Sequence, residues 1–299
     1  MLYSAPLLSL IRTSGYRTLS LFRSLLSFCL PRLLLSISLA SLVLALSWPA
    51  QADTLSIPSA EVQAQIADVA QQAFSATNQG DFATAETYWT QIIELDPSNA
   101  PAWSNRGNAR VSQNKLEAAL SDYNQAVDLA PQAPDPYLNR GTALEGLGRW
   151  QEALADYQRV LQIDPEDPAA FNNRGNAEAG LGQWQAALQD YAHAIELAPE
   201  YSFAQANYAL ALYQVGQTDT GIQAMRGLVK RYPKFPDMRA ALSVALSEQG
   251  RVGEAQSHWV AAVGLDPRYG DLDWVTTIRR WPPRMVDQLN HFLSDLDQG

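Results

Sequence analysis

Asparagine recurs at Asn105, Asn139, Asn173 and Asn207, each 34 residues after the last, and again at Asn108 and Asn176. A side-chain amide offers both donors and an acceptor, so a row of equivalent amides can bind the main chain of an extended peptide without selecting its side chains. Asn is a mediocre residue inside helices, so its recurrence asks for a reason. Ligand contact is one reason, and bonding to neighbouring helix groups is the other. A second spacing matches opposite charges: Arg106, Arg140 and Arg174 are accompanied by Asp122, Asp156 and Asp190. At the equivalent positions elsewhere stand Gln72, Tyr208 or Leu242, and Tyr88, Ala224 or His258. Arg and Asp therefore occur together or not at all. A planar guanidinium meets a carboxylate in two-point geometry, so the pattern predicts structural ion pairs, within a unit or between neighbours. The alternative has the arginines facing a ligand.

Other chemistry finds little support. His193, His258 and His291 lack metal-type spacing with other ligands, and Asp271-Leu272-Asp273 is too sparse for a calcium loop. There is no phosphate-cradling glycine loop and no nucleophile elbow. Cys29 is the only cysteine. The chain reads as non-enzymatic, with no cofactor and no metal.

These residues are carried by a repeating framework. Pro97, Pro131, Pro165, Pro199, Pro233 and Pro267 stand 34 apart, and Gly80, Asn114, Gly148, Gly182, Gly216 and Gly250 keep the same step. Gly and Asn tolerate a left-handed helix end, and Pro stops a helix because it cannot continue the hydrogen-bond ladder. Each unit is thus a first helix, a turn and a second helix, in units 66–99, 100–133, 134–167, 168–201, 202–235 and 236–269. The eighth position is small (Ala73, Gly107, Gly141, Gly175, Ala209, Ser243), and the twenty-fourth is large (Trp89, Tyr123, Tyr157, Tyr191, Met225, Trp259). Small against large lets two antiparallel helices approach closely and fill their interface. The expected class is all-α, a stack of helical hairpins.

Trp103, Gly107, Ala119, Tyr123 and Pro131 in the second unit, and Phe171, Gly175, Ala187, Tyr191 and Pro199 in the fourth, resemble the tetratricopeptide repeat pattern. The resemblance covers 66–269 in six tandem units. It departs where the family's usual Leu at the seventh position is Arg106, Arg140 or Arg174. It implies a right-handed superhelix whose first helices line a concave groove, with the asparagines arranged like the asparagine ladder of some peptide-binding arrays. Asn105, Asn108, Asn139, Asn173, Asn176 and Asn207 are then peptide-binding candidates. Phe203, Leu210 and Tyr213, with Val244, would offer an apolar stretch to an amphipathic segment, or else seal the junction between units. A carboxylate clamp for chaperone tails would need cations where this chain has Pro101, Ser104, Asp135, Leu138, Ala169 and Asn172.

The chain has 299 residues and a net charge of −10, a balance that disfavours nucleic acid as partner. Residues 1–52 form a targeting segment. Arg32, the apolar run Leu33–Leu46 and Ala50-Gln51-Ala52 follow the order of a secretory signal, with an uncleaved anchor over 33–48 as the alternative. Residues 53–65 form a linker and the start of the first helix. The expected location is exported, in the periplasm or a thylakoid lumen. Over 270–299 the period breaks, and a last helix is predicted over 284–296 as a C-terminal cap. Arg279-Arg280-Trp281-Pro282-Pro283-Arg284 is a basic patch, either a docking point for an anionic surface or a cap whose arginines offset nearby acids. The expected function is a scaffold that binds an extended segment of another protein in its groove. By family resemblance, a cyanobacterial or plastid source would make it an assembly or maintenance factor for a photosynthetic membrane complex. The alternatives are an envelope scaffold for cell-wall or outer-membrane assembly, and a regulatory subunit presenting substrate to a separate enzyme.

Overall fold

In the computed structural model, residues 58–297 are described. The expected targeting segment over 1–52, with Cys29, lies outside them. Twelve α-helices run in six antiparallel hairpins: α1 (Ala60–Asn78) with α2 (Phe82–Leu95), α3 (Ala100–Ser112) with α4 (Leu116–Leu129), and α5 (Pro134–Gly146) with α6 (Trp150–Ile163). Then come α7 (Pro168–Gly180) with α8 (Trp184–Leu197), α9 (Ser202–Gln214) with α10 (Thr218–Arg231), and α11 (Pro236–Glu248) with α12 (Val252–Leu265). Each helix packs on the next, and the first helices α3, α5, α7 and α9 also touch from one unit to its neighbour. The product is an all-α superhelical stack with no strand among the described residues.

The turn residues take the backbone their types favour. Asn114 has φ of 60°, and the five glycines at equivalent places lie between 71° and 85°. Most non-glycine residues resist this left-handed region because Cβ crowds the backbone. Asn is an exception with a short polar side chain, which is why it substitutes for Gly in one turn only.

Small–large pairing sets the spacing inside the hairpins. A Cβ built on Gly141 would sit 2.5 Å from Tyr157 Cε1, and on Gly107 it would sit 2.6 Å from Tyr123 Cε1. Gly175 stands in the same relation to Tyr191. The tyrosine ring lies on the bare glycine backbone, and all three tyrosines are buried. Where the large residue is Trp89 or Met225, the partner is Ala73 or Ala209, and both alanines are fully buried.

A further regularity ties units end to end. The fourth-position side chain donates to the carbonyl of the preceding proline: Trp103 Nε1 to Pro97 O at 2.9 Å, Tyr137 Oη to Pro131 O at 3.3 Å, and Arg239 Nε to Pro233 O at 2.8 Å. Gln205 does the same to Pro199. Each proline carbonyl lies in the turn beyond the second helix, where no helical donor reaches it, and the next helix supplies one.

After α12 the chain forms a short 3₁₀ turn (Pro267–Gly270), a brief helix α13 (Leu272–Trp274), a π turn (Val275–Arg279) and α14 (Pro283–Asp297). The final helix is the one predicted, but its position goes beyond capping the last hairpin. It folds back onto the first helices α11 and α9. Met285 and Leu289 are fully buried there, and the Phe292 ring meets Trp259 edge-on at 5.1 Å. Among the described residues no helix is long and apolar enough to cross a membrane.

Gly141→Ala is expected to destabilise the fold by about 1–3 kcal/mol, the usual cost of overpacking a filled core. Chemical denaturation would measure it, and Gly253→Ala, on open surface with nothing near its added Cβ, is the matched control.

Candidate functional site

The three Arg–Asp sets lie within units, between first and second helix. Arg106 Nε and Nη2 donate to Asp122 at 3.0 and 2.8 Å, and Arg140 does so to Asp156 at 2.8 and 2.7 Å. Arg174 binds Asp190 at 2.6 and 2.7 Å. Each guanidinium also lies over the aromatic three residues before it, at 4.8 Å from Trp103, 5.6 Å from Tyr137 and 5.3 Å from Phe171. Two of them reach the preceding unit, Arg106 to Thr90 and Arg140 to Asn124. Burial lifts the Asp156 carboxyl above its ordinary range even with Arg140 beside it, while the hydrogen bonds to Asp156 raise the Arg140 guanidinium further. Desolvation thus offsets much of the attraction, yet removal of one partner strands the other.

The asparagines sit deeper than an open ladder requires. Asn173 and Asn207 have no exposed surface, Asn176 has 1%, and Asn108 and Asn139 have 6% each. Asn207 Nδ2 bonds to Asn172 Oδ1 and Asn176 Oδ1, both at 3.0 Å, and Asn172 Nδ2 bonds to Asn173 Oδ1 at 3.0 Å. Asn139 Nδ2 lies 3.5 Å from Ser104 Oγ in the preceding unit. The ninth-position amides are engaged inside their hairpins: Tyr123 Oη donates to Asn108 Oδ1 at 2.7 Å, and Tyr191 Oη to Asn176 Oδ1 at 3.1 Å. The open amide row is corrected accordingly. Neighbouring first helices approach closely enough for amides to bond across units, and the row turns inward. Leu210 and Tyr213 are buried too, and only Asn105 and Phe203 among the nine candidates keep partial exposure.

The C-terminal segment accounts for part of this burial, a role for which sequence reasoning had no specific signal beyond the basic patch. Arg280 Nη1 and Nη2 donate to Glu145 O at 2.7 Å and Gly146 O at 3.2 Å, at the C-terminus of α5, and its guanidinium lies 4.9 Å from the Trp150 ring. Trp281 Nε1 donates to Asp237 Oδ1 at 2.7 Å, and Arg279 pairs with the same carboxylate. Arg284 binds Tyr213 O at 2.9 Å and Glu248 Oε1 at 3.0 Å, while its guanidinium covers the Tyr213 ring at 4.5 Å. Residues 275–284 therefore form a strap across the first helices from α11 back to α5. Between strap and units lies a cavity of about 520 Å³ lined by Trp150, Trp184, Asn176, Glu145, Arg280 and Trp281, among others.

The first helices ahead of the strap are uncovered. On α1 the residues Ala67, Gln71, Ser75 and Asn78 are exposed around half-buried Phe74, and all five line one shallow depression. At the N-terminal ends of α3 and α5, Pro101, Ser104, Asn105 and Asp135 border a small cavity of about 80 Å³. No group of three or more His, Cys, Asp or Glu suited to a metal occurs among the described residues.

Burial pushes Glu145 up to about 7, against the hydrogen bond from Tyr157 and the charge of Arg280. Glu178 is also raised to about 7, by burial and by the Asp190 charge. In the folded chain Glu145 keeps a proton that the unfolded chain releases near 4.5. Stability is therefore fullest below that pH, falls by up to about 3 kcal/mol as pH rises to about 7, and is flat above it. Thermal melts from pH 4.5 to 8 should show this fall, and Glu145→Gln should reduce it, leaving the share that Glu178 contributes. Arg140→Leu should cost roughly 3–5 kcal/mol, as for a broken buried pair, and an unchanged melting temperature would contradict that.

Three family models match this chain: "Tetratricopeptide repeat" at 143–207, "TPR repeat" at 107–148, and "Tetratricopeptide repeat" at 208–269. Among solved structures, a tetratricopeptide repeat protein from Parabacteroides merdae aligns over 77% of this chain and 98% of its own, at 17% identity and a TM-score of 0.57. The APC/C hetero-tetramer Cut9–Hcn1 aligns over 75% of this chain and 42% of that chain, at 18% identity and a TM-score of 0.63. At these identities the likeness shows the fold. Hsp70-Hsp90 organizing protein 3 of Arabidopsis thaliana is 44% identical over 48 residues, which is 16% of this chain and only 9% of that protein's length. With the hairpin geometry and these matches together, the chain belongs to the tetratricopeptide repeat family.

Proposed function

We propose that this protein is a non-catalytic scaffold that binds an extended segment of another protein along the inner face of α1 and α3. One observation carries the reading: the first helices are strapped over from α5 onward, and the same face is uncovered ahead of that point. The uncovered surface offers what a main chain and its small apolar side chains need. Gln71, Asn78 and Asn105 supply amides, and Phe74, Ala67 and Pro101 supply apolar contact. The residues that line it carry no cation, and Asp135 is acidic. The Arabidopsis relative's name ties that protein to two chaperones. Here Pro101, Ser104, Asp135 and Leu138 stand where a clamp for a carboxylate tail would need Lys or Arg, so we read a different partner. The apolar run Leu33–Leu46 before Ala50-Gln51-Ala52 supports an exported location for this scaffold.

Photo-crosslinkers placed at Phe74, at Asn105 and at Val260 on the outer helix α12 test the reading. Val260 is 69% exposed, so it reports any partner of the outer face. Crosslinks from Phe74 and Asn105 should map to one short stretch of a single partner, and Asn105→Ala with Gln71→Ala should weaken capture at least tenfold. Capture from Val260 alone would overturn the inner-face assignment.

A further inference from the structure

We propose that the inner face of α5–α11 is a second receptor site, for a basic, aromatic-containing extended segment of a partner protein, and that residues 275–284 occupy it as an intrachain stand-in. The proposal does not depend on the reading of α1 and α3, because it concerns a different stretch of the same face.

Val275 and Trp281 anchor the strap in the core, and the rest of it has the chemistry of a basic ligand. Residues 274–286 hold Arg279, Arg280 and Arg284 and no acid, in a chain of net charge −10. Its receiving groups are complementary: Asp237 for Arg279 and Trp281, Glu248 for Arg284, and the terminal carbonyls of α5 for Arg280. A helix C-terminus carries partial negative charge and favours a cation there. Trp150 and Tyr213 present ring faces to Arg280 and Arg284.

Three features keep the strap displaceable. Arg280 sits at φ 53° and ψ 47°, a left-handed backbone that is strained for a non-glycine residue. Its guanidinium is desolvated, and burial draws it below the ordinary arginine range. Beneath it the cavity of about 520 Å³ is unfilled by protein, with Asn176 among its lining residues. Val275 and Trp281 are the buried side chains that the strap must release, while Met285 and Leu289, both fully buried, hold α14 beyond Arg284. A partner segment that replaces the strap would present an arginine to the α5 carbonyls and an aromatic residue toward Asp237.

A labelled synthetic peptide with the sequence of residues 274–286 is the probe, added to the full chain. Arg280→Ala removes the latch, so this variant should bind the peptide at least tenfold more tightly than the unaltered protein. The same peptide with its three arginines changed to glutamate should not bind. In the unaltered protein, saturating peptide should speed hydrogen exchange of the backbone amides in 275–281 while those of α14 beyond Arg284 stay protected. This second measurement decides the matter even if the variant folds poorly. Failure of the peptide to speed that exchange, or equal affinity for both proteins, overturns the proposal. Dimers of Arg280→Ala formed by exchange of straps would assign the face to a second copy of this chain, and would overturn the partner reading as well.

Discussion

The tyrosine ring resting on a bare glycine backbone is the contact from which the rest of the array follows. It brings the two helices of a central hairpin so close that a single methyl group has no room, 2.5 Å from Tyr157 at Gly141. At that separation Arg140 reaches Asp156 across the hairpin with both nitrogens, and the Tyr191 hydroxyl reaches Asn176. Wider hairpins would break both. The central units carry the glycine, the tyrosine and the Arg–Asp set together, and the outer units carry none of the three in that combination. Close packing and charge placement are therefore one specification, written three times.

Much of this was legible in the sequence because it repeats. The 34-residue step placed every turn, including Asn114, whose backbone takes the same left-handed form as the glycines around it. The joint occurrence of Arg and Asp pointed to a pair but left its connectivity open, and the structure shows each pair closing within its own hairpin. The depth of the asparagines was not legible. Position in a repeat says which face of a helix a residue occupies, not what covers that face. Asn207 and Asn173 lie on the expected helices, yet they bond across units and have no exposed surface. One clue was available: Asn108 and Asn176 stand at the ninth position only in units with tyrosine at the twenty-fourth, and it is those hydroxyls that engage them.

The strap was hidden for a different reason. Periodic reading works on local spacing, and Arg280 finds its acceptors on α5, 135 residues earlier. A basic run in an acidic chain is visible, but its partners are scattered over Asp237, Glu248 and the end of α5. Nothing in 270–299 repeats, so no equivalent residue elsewhere reveals its role. The expectation of a cap held for α14 and missed what the preceding ten residues cover. The inner face accordingly divides in two, with an uncovered stretch on α1 and α3 and a covered stretch from α5 to α11.

A stack of hairpins that touch only their neighbours is a spring: tension at the ends is shared turn by turn, and any coil can open alone. The bond from Arg280 to α5 changes the mechanics. It joins the third unit to the tail and closes units three to six into a loop that resists being drawn out. Under load the first two units would extend as a compliant lever, while the remainder would move as a stiff block until the arginine lets go.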